Sequence, residues 1–339
     1  MAVYIGTVPP VGWEQVWDKA AQRAGYTGPR PQVITDATEL AGHGSDMGAL
    51  VTKSVTPELL AAAPHLRLVQ VPFAGVDSMD LATVKRAGVP LANSHGNREV
   101  TAEHAIALMF ALTRRIIPYD RDLRQGIWHG FTTMDDPIIG LFGKTVGIAG
   151  LGNIGLHIAK VCKALGMTAL GLRRSAGGDL PANVDALYTS KQKLDFIHRS
   201  DFVVDVLPST PDTDLFFGKA EFEAMRGHWF VNIGRGRTVD EKALYDALKD
   251  GTLAGAGIDP WWVYPPQPVA KDPVTGRMLH PVFPAHEPFW ELPNIVMSPH
   301  TGGFADISVE GLWGESFENA IRADRGETPR NLVDLERGY

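Results

Sequence analysis

The sequence predicts an α/β protein built on two doubly wound parallel sheets. Three observations carry that prediction. Short apolar runs alternate with amphipathic helical stretches through the first hundred or so residues, the alternation restarts after "GLFGKT" (Gly140–Thr145), and a glycine-rich turn joins strand to helix at the head of the second series. Such alternation implies parallel strands, since parallel neighbours need a crossover and a helix supplies it.

The elements follow in order. In the first series "VYIG", "PQVIT", "MGALVT", "LRLVQVP" and "VPLANS" read as strands bounded by turn residues, with helices over Val11–Ala24 and Met79–Ala87. Arg98–Arg115 is a long helix with small and apolar residues at helical spacing. In the second series "TVGIAG", "TALGLR", "FVVDVLP", "HWFVNIG", "GAGID" and "NIVMSPH" are strands. Helices fall on "NIGLHIAKVCKALG", "LDFIHRS", "KAEFEAM" and "EKALYDALKDG", and "DISVEGLWGESFENAIRADRG" closes the chain. Two such units in series suggest two Rossmann-like domains, with the closing helix able to return to the first.

Bulk properties narrow the function. A length of 339 residues suits two domains of ordinary size. A net charge of -7 argues against a nucleic-acid partner, and no apolar run is long enough to span a membrane. The N-terminus lacks the basic and apolar regions of a secretory signal, and the single cysteine, Cys162, excludes an internal disulfide framework. A cytoplasmic protein is expected, and no metal.

Gly150, Gly152 and Gly155 form "GLGNIG", directly after the strand Thr145–Ala149 and opening a helix. In that context the first glycine makes a tight turn and the second admits a pyrophosphate. The third lets helix pack on strand, and the helix N-terminus with Asn153 and Ile154 faces the anion. A dinucleotide fold usually carries Asp or Glu about twenty residues on, for the ribose hydroxyls. Here Arg173, Arg174 and Ser175 stand there instead, with no acid among them. An arginine pairs with a 2′-phosphate that an acid would repel, so NADPH is expected over NADH.

Two further strand ends carry reactive side chains: Arg235 in "VNIGRGRTVDEKAL" and His300 in "NIVMSPHTGG". Open α/β sheets bind ligands beyond their strand ends. An arginine that holds a carboxylate and polarises a carbonyl, beside a histidine that gives a proton, fits carbonyl reduction.

Taken together, "FAGVDSMDL", "NSHGNREVTAEHAIAL", "GKTVGIAGLGNIG", "LPSTPDT", "VNIGRGRTVDEKAL", "GAGID" and "LPNIVMSPHTGG" resemble the D-isomer-specific 2-hydroxyacid dehydrogenases nearly end to end. The resemblance implies a discontinuous flavodoxin-like substrate domain (1–98 and 303–339) with the NAD(P)-binding domain (99–302) inserted, and a homodimer. It implies that Arg235 binds the carboxylate and carbonyl of a small substrate and that His300 is the acid/base. Backbone N–H groups at Ala74 and Gly75 would hold the carboxylate, with Phe73 also in the substrate site. Thr101, Pro208, Thr213 and Ile233 would line the cofactor, and Asp259 would hold its carboxamide.

The sequence departs from that pattern at one place. The family's Glu, five residues after the strand-end Asp and bonded to the catalytic His, falls on Tyr264. The segment Pro260–Pro293 is also longer than usual, and Trp261, Trp262, Tyr264, Phe289 and Trp290 in it suggest a cleft wall or a dimer contact. Either Tyr264 orients His300, or Glu287 folds back to supply the carboxylate. The expected activity is reduction of a small 2-oxo acid of glyoxylate or hydroxypyruvate type to a D-2-hydroxy acid. The alternatives are a dehydrogenase for another oxyanion (phosphonate, phosphite or formate) and a dinucleotide-sensing corepressor without turnover.

Overall fold

A computed structural model describes residues 1–129, 138–175, 178–266 and 282–339. The chain forms two compact units, Met1–Arg98 with Phe304–Tyr339, and Glu99–Gly303. Both are α/β, as the alternation predicts.

The first unit is a five-stranded sheet of β1 (Ala2–Ile5), β2 (Gln32–Val33), β3 (Met47–Val51), β4 (Leu68–Gln70) and β5 (Leu91–Ala92). Every pairing is parallel and the order is β2-β1-β3-β4-β5, the flavodoxin-like order. β3 is buried along its whole length, which is why "MGALV" has no polar alternation. One face is covered by the helix Trp13–Ala24 and the C-terminal helix Ser308–Asp324, where Trp17, Trp313 and Phe317 pack on Val3, Ile5 and Val51. The closing helix thus belongs to the first unit. The helices Ala37–Gly42 and Pro57–Ala62 escape the sequence reading because each is only six residues long. Their caps, Asp36 and Thr56, are the usual N-terminal signals.

The second unit is a seven-stranded parallel sheet: β6 (Thr145–Ala149), β7 (Thr168–Arg173), β8 (Ala186–Thr189), β9 (Phe202–Asp205), β10 (Trp229–Asn232), β11 (Gly255–Ile258) and β12 (Ile295–Met297). Its order is β12-β11-β10-β9-β6-β7-β8. The winding reverses between β6 and β9, so the ligand crevice of this sheet lies at their C-terminal ends. β8 is absent from the sequence reading. It is a four-residue edge strand with one buried residue, so "ALYT" carries little apolar signal.

The segment after β11 corrects one expectation. Trp261 and Phe289 are core residues, 4% and 0% exposed, and neither walls a cleft. Phe289 stacks on Trp262 at 5.5 Å and meets Tyr245 edge-on, while both indole N–H groups donate to carbonyls, of Ser298 and Val239. Large flat rings bury much apolar area when their polar edge finds an acceptor. Trp290 stacks on Phe283. Residues 267–281 of this segment lie outside the described residues. Among the described residues, no helix is long and apolar enough to cross a membrane.

Candidate active site

The glycine turn has the geometry that a dinucleotide needs. Gly150 closes β6 at φ +103, a conformation that L side chains rarely adopt. A Cβ on Gly155 would lie 2.0 Å from the carbonyl oxygen of Gly150, so only glycine lets the helix Asn153–Ala164 sit this close to its strand. A Cβ on Gly152 would meet nothing within 4 Å, which leaves open space at the helix N-terminus where a pyrophosphate binds. After β9, Thr213 Oγ1 donates to the carbonyl of Pro208 at 2.6 Å and fixes the loop. Ile233 is buried just beyond β10, and Thr101 is buried in the helix Arg98–Thr113. At the end of β7, Arg173 is half-buried, whereas Arg174 and Ser175 are exposed. This unit therefore fits a dinucleotide, and its second strand ends in basic residues.

Arg235 follows β10 at the start of a short 3-10 turn, Gly236–Thr238. Its guanidinium Nη1 donates to the Gly234 carbonyl at 2.7 Å, and its own carbonyl accepts from Asn232 Nδ2 at 2.9 Å. His300 follows β12 with φ +57, a left-handed conformation that a histidine adopts only when its surroundings impose it. Asp259 imposes it. One carboxylate oxygen accepts from the N–H of Thr301 (2.9 Å), the other from the N–H of Gly302 (3.1 Å). Ser298 Oγ donates to the same carboxylate at 2.6 Å and lies 2.9 Å from His104 Nε2. Burial pushes the Asp259 carboxyl up, but the bonds from His104, Ser298 and Gly302 outweigh it and bring it down to about 2. Asp259 is an ionised anchor for the turn that carries His300.

Tyr264, at the position of the missing glutamate, meets His300. Its hydroxyl lies 2.9 Å from His300 Nδ1 and accepts from the Trp261 N–H at 3.1 Å. Glu287 shows no bond to His300 among the described residues: its backbone N–H donates to Glu241 at 2.9 Å, and its carboxylate is close enough to Lys242 to favour that side chain's charge. In the first unit, Asn93 Nδ2 donates to the Ala74 carbonyl at 2.7 Å and the Ser94 N–H to that of Phe73 at 3.1 Å, which fixes the turn Phe73–Gly75.

Sequence reading passed over four residues here: His104, Asp205, Thr238 and Ser298. His104 hides on an apolar helix, and Ser298 and Thr238 are ordinary turn residues by sequence. Asp205 gave a usable signal, an acid inside the apolar run "FVVDVLP". It is completely buried, and burial pushes its carboxyl up to about 7 against the lowering pull of Thr238, the Leu207 N–H and Arg235.

Comparison with known proteins agrees with this geometry. Residues 106–302 match the family described as D-isomer specific 2-hydroxyacid dehydrogenase, NAD binding domain. A glyoxylate reductase of Korarchaeum cryptofilum is 33% identical over 294 residues, which cover 85% of this chain and 82% of that protein. A glycerate dehydrogenase of Methylorubrum extorquens is 32% identical over 296 residues, 86% of each chain. A crystal structure of a Pyrococcus horikoshii protein superposes with a TM-score of 0.77 at 26% identity, over 98% of this chain and 95% of that one. With the dinucleotide turn, the strand-end arginine and the strand-end histidine in place, the chain belongs to the D-isomer specific 2-hydroxyacid dehydrogenase family.

Proposed function

We propose that this protein is an NADPH-dependent reductase of small 2-oxo acids, of glyoxylate or hydroxypyruvate type, giving D-2-hydroxy acids. The observation that carries the reading is the pairing of Tyr264 with His300 Nδ1 at the sheet edge that also bears Arg235 and the glycine turn. The relatives named above support the substrate class.

In this reading the Arg235 guanidinium binds the substrate carboxylate and polarises the neighbouring carbonyl. In the first unit, the backbone N–H groups of Ala74 and Gly75 would bind a carboxylate. A dinucleotide held at the glycine turn Gly150–Gly155 would supply the hydride for the carbonyl carbon. The imidazolium of His300 gives its Nε2 proton to the carbonyl oxygen, which becomes the hydroxyl of the product. Tyr264 keeps Nδ1 bonded and so fixes Nε2 as the nitrogen that carries the proton, without adding charge. Asp259 holds the His300 turn and offers an acceptor edge for a carboxamide.

Arg173, Arg174 and Ser175 favour the 2′-phosphate of NADPH. A homodimer is supported by apolar side chains exposed together in the second unit, among them Ile116 (56%), Ile117 (53%) and Trp128 (76%). The one cysteine is buried and free, which suits a reducing cytoplasm.

The test is a spectrophotometric panel of glyoxylate, hydroxypyruvate, phosphite and formate with NADPH/NADP and NADH/NAD. Turnover of a 2-oxo acid is expected, lost in Arg235→Ala and His300→Ala. A panel in which only phosphite or formate reacts, or variants that keep near-normal rates, would overturn the reading.

A further inference from the structure

Asp205 ends β9 at the point where the sheet reverses, with Ala149 of β6 and Asn232 of β10 as its strand neighbours. It has no solvent exposure, and neither has Thr238. Its Oδ1 accepts from the Leu207 N–H at 2.9 Å. Its Oδ2 lies 2.5 Å from Thr238 Oγ1, and that hydroxyl lies 2.6 Å from the carbonyl oxygen of Arg235.

Three oxygens therefore stand in a row, Asp205 Oδ2, Thr238 Oγ1 and Arg235 O, with two short gaps between them. A threonine hydroxyl has one proton and a carbonyl has none. If Asp205 is ionised, that single proton fills one gap and the other holds two facing acceptors. If Asp205 keeps its proton, its O–H fills the first gap and the Thr238 O–H fills the second. Both contacts are then hydrogen bonds.

We infer that Asp205 is a positioning residue held in its neutral form, donating through Thr238 to the backbone of Arg235, so that no buried anion competes with the substrate for that guanidinium. This rests on the proposed role of Arg235 in binding a 2-oxo acid. Burial supports it, since it pushes the Asp205 carboxyl up to about 7. Arg235 is the charged group that acts on Asp205; Ala149, Asn232, Leu207 and Thr238 around it are uncharged. Near neutral pH the residue still holds its proton to a substantial degree, and in alkali it loses it. An ionised Asp205 then pulls on Arg235 and removes the Thr238 bond from its carbonyl. Affinity for an anionic substrate falls.

Two substitutions separate the neutral acid from the charge. Asp205→Asn keeps an acceptor for Leu207 and a donor for Thr238 but cannot ionise. Thr238→Val keeps the shape and removes the relay. KM and kcat for glyoxylate are measured from about pH 6 to 9 with NADPH saturating, wild type against each variant. The expected results are a KM in wild type that rises on the order of tenfold above neutrality and a KM in Asp205→Asn that does not. Thr238→Val should show a raised KM across the range. The infrared difference between wild type and Asp205→Asn at pH 6 should contain a protonated carboxyl stretch that fades at pH 9. Loss of activity in Asp205→Asn at pH 6, superimposable KM profiles, or no protonated carboxyl band would each overturn the inference. The band reads the proton directly, so it decides even if Thr238→Val fails to fold. If wild type turns over no 2-oxo acid while the band is present, the functional reading has failed and the protonation of Asp205 has not.

Discussion

Replacing Tyr264 tests how a histidine works without its usual carboxylate. Tyr264→Phe removes the hydroxyl that lies 2.9 Å from His300 Nδ1 and also accepts from Trp261. A neutral hydrogen bond contributes about 0.5–1.5 kcal/mol net. Tyr264 is 48% exposed, so water replaces part of what is lost. The low end applies, and kcat should fall only about 2–5-fold, on the scale that 1.4 kcal/mol is tenfold. Tyr264→Glu places an anion at the same ring nitrogen. A neighbouring carboxylate raises an imidazole pKa by about 1–3 units, again nearer the low end in a half-exposed place. Reduction needs imidazolium, so the alkaline limb of kcat for glyoxylate should move up by about one pH unit. The reverse reaction needs the free base, and its acidic limb should move up with it. Initial rates over pH with both variants, and with Glu287→Gln as a control, make the assay. Glu287→Gln should be silent, because its carboxylate acts on Lys242 and the backbone bond to Glu241 is kept in the variant. A Tyr264→Glu profile unmoved from wild type, or a collapse on Glu287→Gln, would refute the assignment.

Two predictions accompany it. Arg174→Ala, alone and with Arg173→Ala, should lower kcat/KM for NADPH at least about tenfold and leave NADH nearly untouched, since a bond to a charged group contributes about 1.5–3 kcal/mol; equal losses with both cofactors would refute a 2′-phosphate contact. His104→Phe removes a donor from the Ser298–Asp259 pair, which helps to bring the Asp259 carboxyl down to about 2, and should lower stability at pH 7 by about 1–2 kcal/mol. A depressed acid stabilises above its ordinary range and loses that as pH falls, so the denaturation difference from wild type should close between about pH 4 and pH 2, while His104→Gln, which keeps an N–H donor, should stay near wild type.

Much of this fold was legible because parallel sheets leave strong local traces. The fully buried strands β3 and β11 are continuous apolar or small runs, β9 is apolar up to its terminal Asp205, and the glycine turn after β6 has a conformation that few other residues tolerate. What escaped was short or depended on distance along the chain. β8 has one buried residue, and the helix Ile116–Leu123 has none, so neither shows a clear apolar face. Arg235, His300 and Tyr264 stand out by residue type and position. The choice between Tyr264 and Glu287 did not, because it depends on how a proline-rich segment turns, and proline fixes φ without saying where the chain goes next. Trp261 and Phe289 of that segment misled for a related reason. Tryptophan is equally suited to a core and to a cleft, and only the acceptors for its N–H, here Ser298 and Val239, tell them apart. His104 and Thr238 act on groups 155 and three residues away, respectively, and no local pattern marks either one.

On the proposed reading, the charges at this site share one electrostatic sense. The chain is acidic overall, at -7, yet both ligands of its second unit are anions, a carboxylate and a dinucleotide phosphate. The acids at that sheet edge are each disarmed by a different device. Asp259 is ionised, but it accepts from the Ser298 hydroxyl and from the Thr301 and Gly302 N–H groups, which offset part of its charge and leave Oδ2 an acceptor site for a carboxamide. Asp205, linked through Thr238 to the Arg235 carbonyl, is inferred to be held in its neutral form. The position that the family fills with a glutamate is a phenol, which holds His300 and adds no charge. Arginines stand where an acid would meet the ribose. Each change leaves Arg235 and the cofactor's phosphate facing fewer competing anions. The same change removes what would keep His300 protonated in alkali. Tighter binding of anions and a reduction rate that declines with rising pH are therefore two consequences of one arrangement, and restoring a carboxylate at position 264 should weaken the first while it repairs the second.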